Sequence, residues 1–167
     1  MRSFSEEQRF NQPLIWIVLL SVDMFVLYQL YNAYVSAAEQ KISYLPYVSS
    51  IIIISLITLL IFFIRLDTKY NERGITYRFH PLMWKYKNIP IDQINTYVVK
   101  DIHPLTTFGG WGYRWRPGKL LLNTRGDYGI VINRTQGKQI TLGTQQPEKV
   151  KEVMRHLIKK EQEEHYG

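Results

Sequence analysis

Apolar residues fill two long stretches near the start of the chain, and strict alternation takes over directly after them. The second stretch, residues 45–65 (LPYVSSIIIISLITLLIFFIR), organises the rest. No charge occurs between Ile42 and Ile64. Ile51, Ile52, Ile53 and Ile54 run consecutively, and Leu56, Ile57, Leu59, Leu60, Ile61, Phe62, Phe63 and Ile64 follow. A helix packed on a soluble core keeps a polar stripe, and this run has none. About 20 residues at ~1.5 Å each match the ~30 Å hydrocarbon layer of a bilayer. The alternative is a helix or strand inside a large soluble core, and the length of the run argues against it.

Residues 13–34 (PLIWIVLLSVDMFVLYQLYNAY) form the other apolar span, with one ionisable residue, Asp23, inside it. Val35-Ser36-Ala37 has the form of a signal-peptidase site. The charge-balanced stretch before it, with Arg2 and Arg9 against Glu6 and Glu7, lacks the positive n-region of a cleaved signal, and Asp23 argues the same way. Two spans with a short joint at residues 35–43 therefore predict a transmembrane helical hairpin. Trp16 marks one interface; Tyr28, Tyr31, Tyr34, Tyr44 and Tyr47 gather at the other as an aromatic belt. Arg2 and Arg9 flank one end, Arg65, Lys69 and Arg73 flank the other, and the joint holds only Lys41, so both termini are expected to be cytoplasmic. By depth along the two antiparallel helices, Asp23 is expected opposite Ser55, an intramembrane polar pair.

From Arg65 the period changes to two. Leu66, Thr68 and Tyr70 alternate with polar neighbours, residues 71–74 turn, and Ile75, Tyr77 and Phe79 alternate again, which predicts a hairpin. Residues 82–87 read as a third strand around Trp84 and Tyr86. Residues 89–94 read as a connector whose isoleucines fill the core, and 95–102 as another strand. Residues 103–110 read as a loop, and 111–116 and 119–123 as strands separated by Pro117-Gly118. Residues 129–134 and 139–143 read as the last hairpin. Pro147 then suits a first helical position, and Val150, Val153, Met154, Leu157 and Ile158 follow helical spacing. The division expected is a polar segment at 1–12, a hairpin at 13–65, and a small α+β domain of about seven strands and one amphipathic helix at 66–167.

A resemblance adds to this pattern. The segments 109–114 (GGWGYR), 126–132 (GDYGIVI) and 137–150 (GKQITLGTQQPEKV) resemble small bacterial membrane proteins that carry a pleckstrin-homology-like domain after two transmembrane helices. The resemblance implies a pleckstrin-homology-like β barrel closed by a C-terminal helix, in the bacterial inner membrane. It implies no activity and no catalytic residue.

Charge sharpens the expected partners. The net charge is +7, and residues 65–167 hold 18 Lys/Arg against 10 Asp/Glu while residues 1–64 hold 3 against 4. A basic domain tethered to a bilayer points to anionic lipid or an acidic partner. Without a clustered basic run or a recognised motif, nucleic acid is not an expected partner. The chain has no cysteine, and no serine follows Ser55, so neither a Ser–His–Asp nor a Cys–His arrangement fits in the domain. His80, His103, His156 and His165 show no metal-ligand spacing. No catalytic, metal or cofactor site is expected.

Two features exceed that background: Asp23, and the aromatic-basic stretch 108–119 (FGGWGYRWRPGK). On alternation Trp111, Tyr113 and Trp115 share one face, and Arg114 and Arg116 share the other. Packing of Trp111 or Trp115 into the core is one expectation. The functional one is that Arg114, Arg116 and Lys119, with Trp111 and Trp115 and the membrane-flanking Arg65, Lys69 and Arg73, contact anionic lipid or a partner. The leading function is thus a non-enzymatic membrane binding or scaffolding protein, acting with a membrane protein, as a homo-oligomer, or as a subunit of a larger complex. The runner-up is an accessory to transport that uses Asp23, and a membrane enzyme comes third.

Overall fold

The computed structural model describes residues 3–40 and 45–166, the side chains of 37–40 and 162–166 excepted. Arg2, Lys41, Tyr44 and Gly167, which bear on the expected topology, lie outside the described residues. The chain divides into two compact units: Asn11–Phe63, and Met1–Phe10 together with Ile64–Gly167.

The first unit is two helices, α1 (Pro13–Gln40) and α2 (Leu45–Phe63). Both are long and apolar enough to cross a membrane, over Pro13–Ser36 and Leu45–Phe63. No residue of α2 is buried. Contacts near both ends make the pair antiparallel: Trp16 meets Phe62 edge-on, with ring centroids 6.1 Å apart, and Leu27, Leu30, Tyr31 and Tyr34 share a groove with Val48. The helix α1 runs six residues into the stretch expected as a joint, because Ser36, Ala37 and Ala38 offer no break before Gln40.

The second unit begins with a strand the alternation pattern does not show. Residues Phe4–Arg9 form β1, which pairs antiparallel with β2 (Arg65–Asn71) in the register Phe4↔Tyr70 through Arg9↔Arg65. The polar segment expected at 1–12 is therefore the edge of a sheet, and the domain is not contained in 66–167. β2 continues into β3 (Gly74–His80) and then β4 (Lys87–Ile89), giving the order β1-β2-β3-β4. Only glycine suits position 74: its φ is +124°, and a Cβ there would strike the Ile89 carbonyl oxygen. The third strand expected at 82–87 shrinks to Lys87–Ile89, since the chain turns after His80-Pro81 and Met83 N–H donates to the Phe79 carbonyl at 2.7 Å.

After a 3-10 turn at Ile91–Gln93 come β5 (Ile94–Asp101), a short helix α3 (Pro104–Phe108) where a plain loop is expected, β6 (Gly112–Arg116), β7 (Lys119–Asn123), β8 (Tyr128–Arg134) and β9 (Gln139–Gly143). Their order is β5-β8-β9-β7-β6, with β7 and β9 parallel and the rest antiparallel. The expected barrel does not close. Among the described residues no ladder joins the two sheets, and the Pro90 turn separates β4 from β5.

Between the sheets, Leu66, Tyr70, Ile75 and Phe79 face Leu122, Ile130, Ile132 and Leu142, and α4 (Pro147–Tyr166) closes the core with Val150, Val153, Met154 and Leu157. The isoleucines at 89 and 94 are buried as their spacing predicts, and Ile91 packs against the same core.

β1 reaches this core through polar groups. The buried Glu6 carboxylate accepts hydrogen bonds from Thr144 Oγ1 and the Gln145 N–H, both at 2.7 Å, and Gln8 Nε2 donates to the Gly143 carbonyl at 2.7 Å. A carboxylate just before the first turn of α4 also meets the positive end of that helix.

Candidate functional site

β6 is the outer edge of the second sheet, and its hairpin with β7 carries the aromatic-basic residues. The register Arg114↔Leu121 and Tyr113↔Leu122 puts Tyr113 and Trp115 on the core-facing side and Arg114 and Arg116 on the opposite side, as alternation predicts. Neither side is covered: Arg114, Trp115, Arg116 and Lys119 are exposed, Trp115 at 57%. The expectation that Trp111 or Trp115 fills the core is thus overturned, because β6 is the edge strand of its sheet, with a neighbour on one side only. Only Tyr113 reaches the first sheet, meeting Phe79 edge-on at 6.2 Å. Trp111 is half-buried and donates from Nε1 to the Gly126 carbonyl at 3.2 Å, while Trp115 lies under Lys138 Nζ at 5.1 Å.

Behind the arginines lies a cleft of about 300 Å³ on the outer face of the second sheet. α3 forms its wall with Thr107 and Phe108, and Lys100, Asp101, His103, Lys119 and Thr141 are among the residues that line the rest. His103 holds α3 in place from a left-handed conformation (φ 41°), with its N–H donated to Asp101 Oδ1 at 3.1 Å. The Arg116 guanidinium stands 5.7 Å from the Phe108 ring centroid. A polar row continues along the sheet: Gln139 Nε2 donates to Asn133 Oδ1 (2.6 Å), and Asn133 Nδ2 to Thr96 Oγ1 (2.8 Å). Lysines at two strands, two threonine hydroxyls and an apolar wall, against one carboxylate (Asp101) engaged by His103, make a surface suited to an anionic group with an apolar neighbour. Lys100, His103 and Thr141 escape the sequence pattern because non-sequential strands bring them together; the Asp-x-His-Pro turn at 101–104 is the only local signal.

The flanking cations separate. Arg65 is held within the first sheet, 3.6 Å from Asp67 Oδ1 and 3.7 Å from Glu7 Oε2. Lys69 lies 5.2 Å over the Tyr86 ring. Arg73 sits in the turn at the far end of the β2–β3 hairpin, six ladder positions from Arg65, so it is not near the end of α2. At ~3.3 Å per residue that separation is ~20 Å. Beside it Lys160 of α4 binds Glu72 at 2.8 Å and holds that carboxyl below its ordinary range, by hydrogen bond first and by charge second. The membrane-flanking set therefore does not converge with Arg114, Arg116 and Lys119 as one cluster of six.

Within the helical unit, Thr58 Oγ1 donates to Asp23 Oδ2 at 3.2 Å. The expected partner, Ser55, lies one turn away from this bond. Side chains lean toward the N-terminus of their own helix, so in an antiparallel pair those of Asp23 and Thr58 lean toward each other.

Among the described residues no group of three His, Cys, Asp or Glu side chains is placed to hold a metal ion. No protein-family model, curated protein or solved structure matches the chain.

Proposed function

We propose that the chain is a non-enzymatic binding protein of the bacterial inner membrane, in which α1 and α2 anchor the two-sheet unit and the β6–β7 edge with its cleft takes anionic groups. The observation that carries this reading is the pairing of β1 with β2. The segment before α1 and the segment after α2 are neighbouring strands, so the two helices leave and re-enter one sheet at one end, Arg9 opposite Arg65. A chain built this way crosses a bilayer an even number of times and keeps its folded unit on one side. Arg9 and Arg65 favour the cytoplasm for that side. The resemblance to pleckstrin-homology-like membrane proteins supports a binding module, and the closing helix α4 accords with it; the open second sheet with its parallel pair departs from the barrel.

Arg114, Arg116 and Lys119 contribute about 1 kcal/mol each when an anionic surface comes within reach. The ligand is an anionic headgroup or an acidic patch on a membrane protein; a homo-oligomer would present the same surface in trans. The Thr58–Asp23 bond supports a structural tie for Asp23 rather than a part in transport. The test is purification of the full-length protein from native membranes into nanodiscs, followed by mass spectrometry of co-purified protein and lipid. A stoichiometric partner or an enriched anionic lipid, reduced in the Arg114→Ala/Arg116→Ala/Lys119→Ala variant, is the expected result. Equal recovery from both proteins rejects this edge as the binding surface.

A further inference from the structure

Trp84 is the most exposed large hydrophobic side chain among the described residues, at 81%, and Leu82 beside it stands at 61%. Their exposure is built in. Between them Met83 is buried in the core, with its N–H bonded to the Phe79 carbonyl at 2.7 Å. Two residues after Trp84, the Tyr86 hydroxyl donates to Asp67 Oδ2 at 3.4 Å, and its ring is covered by Arg78 (4.3 Å) and Lys69 (5.2 Å). The Trp84 ring itself meets His80 edge-on at 6.2 Å. A loop anchored at residues 83 and 86 thus holds two large apolar side chains outward, and exposed Lys85 and Lys87 flank them. Held against water, that arrangement loses the burial of both side chains; at a bilayer interface, an indole and a leucine beside lysines are the preferred composition.

The loop lies at one end of the first sheet. β3 ends at His80, which pairs with Arg65, which pairs with Arg9. Pro13, where α1 starts, is four residues beyond Arg9, and Phe63, where α2 ends, is two residues before Arg65. Two extended residues reach ~7 Å at most. A bilayer ~40–45 Å thick with a ~30 Å core has headgroup layers of comparable depth, ~5–8 Å on each side. Covalent connection therefore keeps Arg65 within ~7 Å of the end of α2, and His80 is its direct neighbour on the next strand.

We propose that the loop of residues 81–87 is a third membrane contact: Leu82 and Trp84 insert at the boundary between headgroups and acyl chains, and Lys85 and Lys87 meet anionic headgroups. The proposal rests on the reading of α1 and α2 as membrane spans.

The absence of cysteine makes the test direct. Single-cysteine full-length variants at Leu82→Cys, Trp84→Cys and Arg73→Cys, with Leu20→Cys and Leu59→Cys in the helices, are labelled with an environment-sensitive fluorophore. They are placed in nanodiscs of phosphatidylcholine and phosphatidylglycerol. Circular dichroism confirms that each variant is folded. Quenching is read with nitroxide-bearing lipid and with aqueous iodide. The proposal expects labels at 82 and 84 to be quenched by the lipid nitroxide several-fold more strongly than the label at 73, and to be shielded from iodide. If 20 and 59 report lipid while 84 is as open to iodide as 73, the loop proposal is overturned and the membrane reading stands. A label at 84 shielded from both quenchers means contact with protein, a second copy included, and overturns it too. No lipid quenching at 20 and 59 removes the membrane reading and the proposal together.

Discussion

The two units of this chain use the same residues in opposite ways. In Asn11–Phe63, Leu20 and Ile53 are exposed at 56% and 57% on helices that bury almost nothing. In the sheet unit, Leu142 and Phe79 are fully enclosed, and even Glu6 and Gln8 are drawn inside. An apolar side chain stabilises a fold by leaving water; the sheet unit packs its leucines against one another, while the helical unit turns them outward on two helices long and apolar enough to cross a membrane. Hydrogen bonding inverts as well. Serine hydroxyls on the helices bond locally, Ser21 Oγ donating to the Ile17 carbonyl and Ser50 Oγ to the Pro46 carbonyl, with Thr58 reaching across to Asp23, whereas the sheet unit joins residues more than 130 positions apart through Glu6 and Gln8.

The largest contrast is expected in packing. Phe79→Ala empties the centre of the sheet unit and should cost about 3–5 kcal/mol in a denaturant melt followed by near-ultraviolet circular dichroism of the reconstituted protein. Leu20→Ala, by the same measurement, should leave that transition unmoved. Equal losses would mean that α1 is part of a packed core, which would break the comparison.

Next comes the tie between β1 and α4. Glu6→Ala leaves Thr144 Oγ1 and the Gln145 N–H without their acceptor and should destabilise the sheet unit by about 2–3 kcal/mol. Ser5→Ala, on the exposed side of the same strand, should change little. An unaffected melt for Glu6→Ala would detach β1 from the fold.

Alkaline stability tests the same interior. Burial, and after it the Glu6 charge, push the Tyr70 phenol well above its ordinary value of about 10, and burial raises Tyr77 in the same direction. An acid raised in the folded state contributes its full stability below the unfolded value and loses it as pH climbs toward the folded one. Stability should therefore decline progressively above pH ~10. Tyr70→Phe should remove most of that decline and leave the part due to Tyr77. An unchanged alkaline limb would place Tyr70 in contact with water.

The smallest effect belongs to the helical unit. Hydrogen bonds between membrane helices average ~0.6 kcal/mol, so Thr58→Val should shift hairpin stability by about that amount, with Asp23→Leu no more than ~1.7. Steric-trap or forced-unfolding measurements in bilayers resolve such differences. A loss of several kcal/mol would give Asp23 a role beyond its bond to Thr58.

The degree to which each part is legible in the sequence follows from the same contrast. The two long helices are legible because they are apolar all round over enough length to cross a membrane, and the β2–β3 and β8–β9 hairpins and α4 because each buries one periodic face: Ile75, Tyr77 and Phe79 at every second position, Val150, Val153, Met154 and Leu157 at helical spacing. β1 is not, since its inward positions are Phe4, Glu6 and Gln8, and a strand whose enclosed groups are polar has no hydrophobic alternation. Residues 82–87 mislead in the opposite sense: Trp84-Lys85-Tyr86-Lys87 alternates as a strand would, yet Met83 takes the core position and Trp84 is left outside. The order β5-β8-β9-β7-β6 lies beyond local pattern because β7 pairs with β9 across a crossover, and the cleft at Lys100, His103 and Lys119 depends on that order. Arg114, Arg116 and Lys119 are legible as exposed cations; that Arg73 stands at the opposite end of β2 from Arg65 appears only with the register.

The pairing of β1 with β2 in a membrane is the point on which the account turns. With no native cysteine to interfere, Ser5→Cys and Lys69→Cys place thiols on directly paired, outward-facing positions. Mild oxidation of full-length protein in native membranes should link them rapidly, while Ser5→Cys with Arg73→Cys should stay unlinked. The cross-link is read as a mobility shift between non-reduced and reduced samples. Rapid linkage in register shows one sheet closing both ends of the hairpin; free thiols at 5 and 69 under the same oxidation would contradict it.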